Sequence, residues 1–432
     1  MKKIIVLIFL TSLLGNVSVY AESYTLDTFL EQVMQHNNEL KLAKEDLKYA
    51  SLVKKEAVSG ALPEITAKAG YNRNLSKNYL FVDMGDTQTK FSINKNNEYN
   101  FNVTLNQTLF SGAVYNAIRA AKEYSQMTAF MYEASESEII TMAKKSYYQT
   151  LLLKQVYEVS KKSEENALEN YTNIYNAFNA GLKSEFAKLQ AEVRYKEIIP
   201  QTTSAERNYN SALINLKNMA GIDLDKELIL EGSLSEYPEI PQSVSLDSIL
   251  QERPDFNAIL WQEKLQLTGV KAEKAGRIPS LKGFFAYNYS AQSDEFKFED
   301  ENNSYTVGLN LNIPIFTGGR TSAKIQQAQI DLQRVQINKN RAVDNIQLET
   351  KNIRLRLIEA YNRIESAKSS FLTAQKAFDI AKVTSTNGLA TQLELKDARL
   401  VLDQSEIYYY SAIYEYLDAY FDWQKAIGNV TS

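Results

Sequence analysis

No cysteine occurs anywhere in the 432 residues. That excludes disulfides, thiolate metal sites, a cysteine nucleophile and an acylated N-terminal cysteine. A single histidine, His36, leaves metal ligation and acid/base catalysis poorly supplied, and within QHNNEL it reads as a solvated helix residue. Basic excess is missing too: 48 Lys and Arg stand against 52 Asp and Glu, a net charge of −4, so nothing suggests a nucleic-acid surface. No apolar run after the first residues approaches the roughly 20 positions of a spanning helix. Any insertion into a membrane must therefore be by strands.

The start, MKKIIVLIFLTSLLGNVSVYAES, does carry an apolar stretch, Ile4 to Gly15, behind Lys2 and Lys3 and ahead of Val19 and Ala21. This is the pattern of a secretory signal peptide, residues 1–21, cut after Ala21.

An internal repeat organises the remainder. The segment from His36 (HNNELKLAKEDLKYASLVKKEAVSGALPEITAKAGYN) matches that from Glu252 (ERPDFNAILWQEKLQLTGVKAEKAGRIPSLKGFFAYN), placing Gly60 on Gly276 and Pro63 on Pro279. LNQTLFSG from Leu105 matches LNIPIFTG from Leu311, and NAGLKSEFAKLQAE from Asn179 matches TNGLATQLELKDAR from Thr386. Each copy closes alike, with LKNMAG to Gly221 and WQKAIG to Gly428. Chance would not keep order and spacing through four blocks. The copies span residues 22–221 and 251–432. Between them lies 222–250, a linker with Gly232, Pro238 and Pro241 that carries a short helix or strand on the flank.

Each copy holds two strands and then long helices. In the strand 99–110, Tyr99, Phe101, Val103 and Leu105 fall on one face, and Asn100, Asn102, Thr104 and Asn106 on the other. In 305–316, Tyr305, Val307, Leu309, Leu311 and Ile313 face one way, and Thr306, Gly308, Asn310 and Asn312 the other. Strands at 65–74 and 281–290 complete the set, joined by loops 75–98 and 291–304. Lys68 and Lys282 alternate with apolar neighbours and fit either a lumen or a headgroup interface. Length, alternation and terminal tyrosines suit transmembrane barrel strands, although any one of them also suits a soluble half-buried sheet. Four strands cannot close, and open edges are not tolerated in lipid. The barrel must be shared: two chains fill an eight-stranded interior with side chains, three give twelve strands and room for water.

Helices are predicted at 113–179 and 320–385, with return helices at 184–220 and 391–427. Neither long tract contains proline or interior glycine. About 66 residues at about 1.5 Å each span roughly 100 Å, so these helices must pack side by side as a tube or rod. Gly181 and Gly388 turn the chain, and Ser184 and Thr391 read as N-caps.

This layout, with the Gly60/Pro63 and Gly276/Pro279 strand entries and the LFSG and IFTGG exits, resembles the TolC family of outer-membrane efflux proteins across the whole mature chain. The resemblance implies a mostly α fold with a membrane β-barrel: a homotrimer sharing a 12-stranded barrel in the outer membrane, continued by a long α-helical barrel through the periplasm. It further implies an outer-membrane exit duct for efflux or type I secretion, with no enzyme activity and no cofactor or metal. The partners would be a periplasmic adaptor (membrane fusion) protein, an inner-membrane pump and outer-membrane lipid. The helix tips at Gly181, Leu182, Ser184, Gly388, Leu389 and Thr391 would meet the adaptor. Asn100, Asn102, Thr104, Asn106, Thr306, Asn310 and Asn312 would line the lumen; Tyr99, Phe101, Val103, Leu105, Tyr305, Val307, Leu309 and Leu311 would face lipid.

In TolC, carboxylates just after the second turn ring the periplasmic end, and counting from the turn glycine places them on Glu394 and Asp397. Three copies would bring six acids together, favour cations and raise some of their pKa values. The tyrosine and arginine that lock the TolC tip fall on Ser385 and Ala390, and their aspartate partner on Ala187, so that lock is missing. Phe110 and Phe316 are expected to pack where barrel meets tube. The competing reading is an exported non-channel coiled-coil scaffold or adhesin whose strands form a soluble cap.

Overall fold

The computed structural model describes residues 22–85 and 87–430, so the proposed signal peptide, 1–21, lies outside the described residues. In chain order the elements are β1 (Glu22–Tyr24), α1 (Leu26–His36), α2 (Asn38–Ser59), β2 (Glu64–Arg73), β3 (Tyr79–Met84), β4 (Thr87–Ser92), β5 (Asn97–Phe110), α3 (Gly112–Asn179), α4 (Glu185–Ala220), β6 (Leu228–Leu230), α5 (Leu246–Glu252), α6 (Pro254–Ala275), β7 (Ser280–Ser293), β8 (Asn302–Asn312), α7 (Arg320–Thr386) and α8 (Gln392–Ala426). Two compact units emerge, and each draws on both sequence copies. One gathers Met1–Lys41, Ser135–Ile249 and Gln347–Ser432, as far as these are described; the other gathers Leu42–Ala134 and Leu250–Ile346.

The first unit is helical. Its core buries Phe29, Val33, Tyr147, Leu216, Leu234, Leu357, Ile364, Ile413, Tyr416 and Trp423. Two buried tyrosine hydroxyls are satisfied by loop and strand backbone: Tyr147 donates toward the carbonyls of Tyr24 (2.8 Å) and Glu231, and Tyr416 to that of Pro238 (2.8 Å). The stretch between the copies is thereby tied down, and its β6 pairs in parallel with β1. His36 is half-buried rather than solvated, since its Cβ lies within 2.9 Å of where a Cβ on Gly221 would stand. Among the described residues no helix is long and apolar enough to cross a membrane.

The second unit holds a four-stranded antiparallel sheet in the order β2-β5-β7-β8. The last strand departs from expectation at both ends. It begins at Asn302 rather than Tyr305 and stops at Asn312, because Pro314 has no amide hydrogen to extend the ladder, so Ile313 and Phe316 fall outside it. The loop after β2 is also not plain: it contains the hairpin β3-β4, turning near Gly85 at φ 72°. A run of Tyr, Leu, Phe and Val facing a Thr-Gln-Thr-Lys-Phe-Ser alternation is the signal for it.

Candidate functional site

Sheet register decides which side chains share a surface, because directly opposed residues in antiparallel strands point the same way. Val103 stands opposite Ala67 and Tyr287, and Tyr287 opposite Tyr305. Leu105 stands opposite Ile65 and Phe285, and Phe285 opposite Val307. One face therefore carries Tyr99, Phe101, Val103, Leu105, Tyr305, Val307, Leu309 and Leu311 together. Much of it is open in the single chain, with Val307 81% and Leu309 67% exposed. At one end it finishes in rings: Tyr99 lies 4.5 Å from Phe298, and Tyr71 5.7 Å from Phe296.

The opposite face is polar. Asn102 stands opposite Lys68 and Asn288, Thr104 opposite Thr66 and Ala286, and Thr306 opposite Ala286. Asn100, Asn106, Asn310 and Asn312 follow by parity, as do Lys68 and Lys282, whose surroundings the sequence left open. Side-chain bonds run across three strands. Thr104 Oγ1 donates to Asn102 Oδ1 (2.8 Å), Asn102 donates to Asn288 Oδ1, and Asn288 Nδ2 donates to Ser304 Oγ (3.5 Å). Phe284 is the one large apolar side chain on this face of the sheet, accommodated because Gly308 opposite it has no Cβ; one there would lie 2.7 Å from the ring.

The sheet does not close on itself. β2 and β8 each have one unpaired edge, and in hydrocarbon such edges leave backbone groups without partners at several kcal/mol each.

Both helix turns lie in the helical unit and end alike. Gly181 (φ 73°) donates to the Phe178 carbonyl and Leu182 to that of Ala177, and Gly388 (φ 75°) donates to Ser385 and Leu389 to Thr384. These are paired Schellman bonds, which need a residue at positive φ and so favour glycine. Leu182 (78%) and Leu389 (81%) are exposed at the apices. Ser184 then caps α4 by accepting from the Ala187 amide (3.3 Å), and Thr391 caps α8 by accepting from the Glu394 amide (3.2 Å).

Glu394 returns the bond. Its carboxylate accepts from the Thr391 amide (2.7 Å) and hydroxyl (2.9 Å), and these contacts hold it below the usual glutamate range. Within one chain the sign is thus opposite to that expected from crowding. Asp397 is exposed one turn further on. Phe110 (55%) and Phe316 (88%) are exposed in the single chain rather than packed.

Sequence reading missed a groove of about 460 Å³ near the tips, lined among others by Asn170, Arg194, Phe378, Lys382, Lys396 and Arg399. Arg399 is buried, lies 5.2 Å from the Phe378 ring and pairs with Asp403 at 2.6 Å. An Arg and Asp four apart on a helix look like a solvated pair in sequence, which hid this one.

Comparison with known proteins agrees with this architecture. The family model described as outer membrane efflux protein matches residues 29–222 and 245–429. The outer membrane protein TolC of Vibrio cholerae is 20% identical over 447 residues, covering 100% of this chain and 96% of that protein. The alkaline protease secretion protein AprF of Pseudomonas aeruginosa is 21% identical over 364 residues, covering 81% of this chain and 73% of its own. Among solved structures, the Campylobacter jejuni CmeC outer membrane channel superposes with a TM-score of 0.81 at 20% identity, covering 94% of this chain and 85% of that one.

Proposed function

Since the chain belongs to the outer membrane efflux protein family, whose members are outer-membrane channels and not enzymes, we propose that it is the exit duct of a tripartite efflux or type I secretion system. Three copies, each giving four strands, close a twelve-stranded barrel in the outer membrane. The apolar faces meet lipid and the polar faces line a water-filled bore. The tips around Gly181 and Gly388 meet a periplasmic adaptor coupled to an inner-membrane pump, and Glu394 and Asp397 ring the narrow end. No bond is made or broken by this chain; it supplies a route, and its pump supplies the energy. The similarity to a protein named for alkaline protease secretion brings protein cargo within the reading alongside small molecules.

The observation that carries this reading is the register, which sorts four strands into one apolar and one polar face while leaving two edges unpaired. A soluble cap would cover Val307 and Leu309 and would not leave them open. The test is oligomer mass in detergent together with planar-bilayer conductance of the mature protein. A trimer giving discrete channels is expected. Val103→Arg, in mid-strand on the apolar face, costs roughly 2 to 4 kcal/mol near the bilayer midplane and should abolish the outer-membrane trimer. Normal trimer yield from that variant would overturn the barrel.

A further inference from the structure

We infer that Lys68, contributed once by each chain, forms a single cationic ring inside the bore that concentrates multivalent anionic solutes such as phosphorylated or sulfonated small molecules. The inference rests on the duct reading and adds a ligand class to it.

A single row of side chains crosses the sheet on its polar face: Lys68, Asn102, Asn288 and Ser304 stand directly opposite one another in turn. The two amides in that row are directed along it. Asn102 donates to Asn288, Asn288 to Ser304, and Asn102 Oδ1 accepts from Thr104. The row thus holds itself together without the lysine, and among the described residues Lys68 makes no ion pair. Lys68 is exposed on that face.

Nor can the neighbouring chain neutralise it from within the sheet. The strand order leaves β2, which carries Lys68, and β8 as the edges, so closure of a barrel sets β8 of one chain beside β2 of the next. β8 reads NNSYTVGLNLN and contains no acid. Glu64, the nearest acid on the same strand and face, is four residues away, roughly 14 Å at about 3.4 Å per residue. That exceeds the Debye length of about 8 Å at physiological salt. Lys282, opposite Asn310, is the other lysine on this face, three rows from Lys68 and roughly 20 Å along the strands at about 3.4 Å per residue. The nearest neighbours of Lys68 on its face, Thr66 and Gly70 on β2 and Asn100, Asn102 and Thr104 on β5, are all uncharged.

Three-fold symmetry places the three lysines at one height. Twelve strands about 4.8 Å apart and tilted by about 40° give a barrel radius of roughly 12 Å. A lysine stem reaches roughly 6 Å inward, which brings the ammonium groups within about 10 Å of one another. A divalent or trivalent anion on the axis would feel all three at once.

The absence of native cysteine permits a clean test on the full-length protein in liposomes. Asn100→Cys places one thiol on the polar face in the next row and leaves the row of Lys68, Asn102, Asn288 and Ser304 intact. Its reaction rates are measured with a sulfonate-bearing and a trimethylammonium-bearing methanethiosulfonate, with Lys68 present and with Lys68→Gln. The ratio of anionic to cationic rate should fall roughly fivefold on Lys68→Gln, and the difference should shrink in about 1 M salt. Inorganic tripolyphosphate should slow anionic labelling only when Lys68 is present. Labelling at Asn100→Cys with a ratio unmoved by Lys68→Gln would overturn the ring and leave the duct standing. If Val103→Cys were labelled by these water-soluble reagents and Asn100→Cys were not, the face assignment and the duct would fall together.

Discussion

At one tip α3 hands over to α4 through Gly181, Leu182, Lys183 and Ser184; at the other α7 hands over to α8 through Gly388, Leu389, Ala390 and Thr391. The two glycines adopt the same left-handed conformation, make the same pair of backbone bonds, and precede a hydroxyl cap by the same three residues. Beyond the cap the two tips part. The second tip has Glu394 three residues after its cap and Asp397 six after, while the first has Ala187 and Gln190 at those positions. The two turns share the backbone geometry that needs glycine, while the side chains after the caps differ. The first tip instead carries Glu185 directly after its cap, where the second has Gln392, so the acids stand at different positions on the two hairpins.

Erasing that divergence should have the largest effect. Converting Glu394→Ala with Asp397→Gln, which gives the second tip the first tip's residues at those two positions, should weaken block of the channel by multivalent cations about tenfold or more, since the proposed trimer would lose six carboxylates. Unchanged block in bilayer recordings would remove both residues from the gate. Next come the glycines: Gly181→Ala and Gly388→Ala each place a Cβ at positive φ and should cost about 1 to 2 kcal/mol locally. Equal rises in amide exchange around Leu182 and Leu389 would show the two turns to be energetically equivalent, and an effect at only one would break the comparison.

Smaller again is the cap. Thr391→Ala removes one side of a reciprocal pair and should cost about 1 kcal/mol, more than Ser184→Ala. Ala187→Glu should recover a few tenths of a kcal/mol by building the missing capping box at the first tip. Acidification gives the finest test. Because Glu394 is held below its ordinary range by the Thr391 bonds, its contribution is present above the unfolded-state value and is lost as pH falls through the folded one. Exchange near Leu395 should therefore quicken on the acid side of the usual glutamate range, and Glu394→Gln should flatten that response.

Much of this is legible in the sequence because the signals are local. Alternation in YNFNVTLN fixes which residues of β5 share a face, and glycine followed by a hydroxyl fixes both turns. The end of β8 is less legible, because Pro314 outweighs an apolar alternation that continues past it. The hairpin β3-β4 is easily missed, since its strands are short and interrupt a loop. Lys68 shows the deeper limit. Its parity along β2 is readable, but its isolation depends on which residues stand opposite it on other strands, and register is a long-range property. Arg399 is similar, since its burial comes from Phe378 on another helix.

The two unpaired sheet edges also bear on how the protein is made. In the proposed trimer a chain's strands are complete only beside two siblings, so it would have no finished state of its own, and folding and assembly would become one concentration-dependent event. Until then each copy would present the open edges of β2 and β8, which are templates for pairing with other chains. A variant defective at one edge would be incorporated through the other, so in a cell expressing both forms it would poison wild-type assemblies instead of merely failing to contribute.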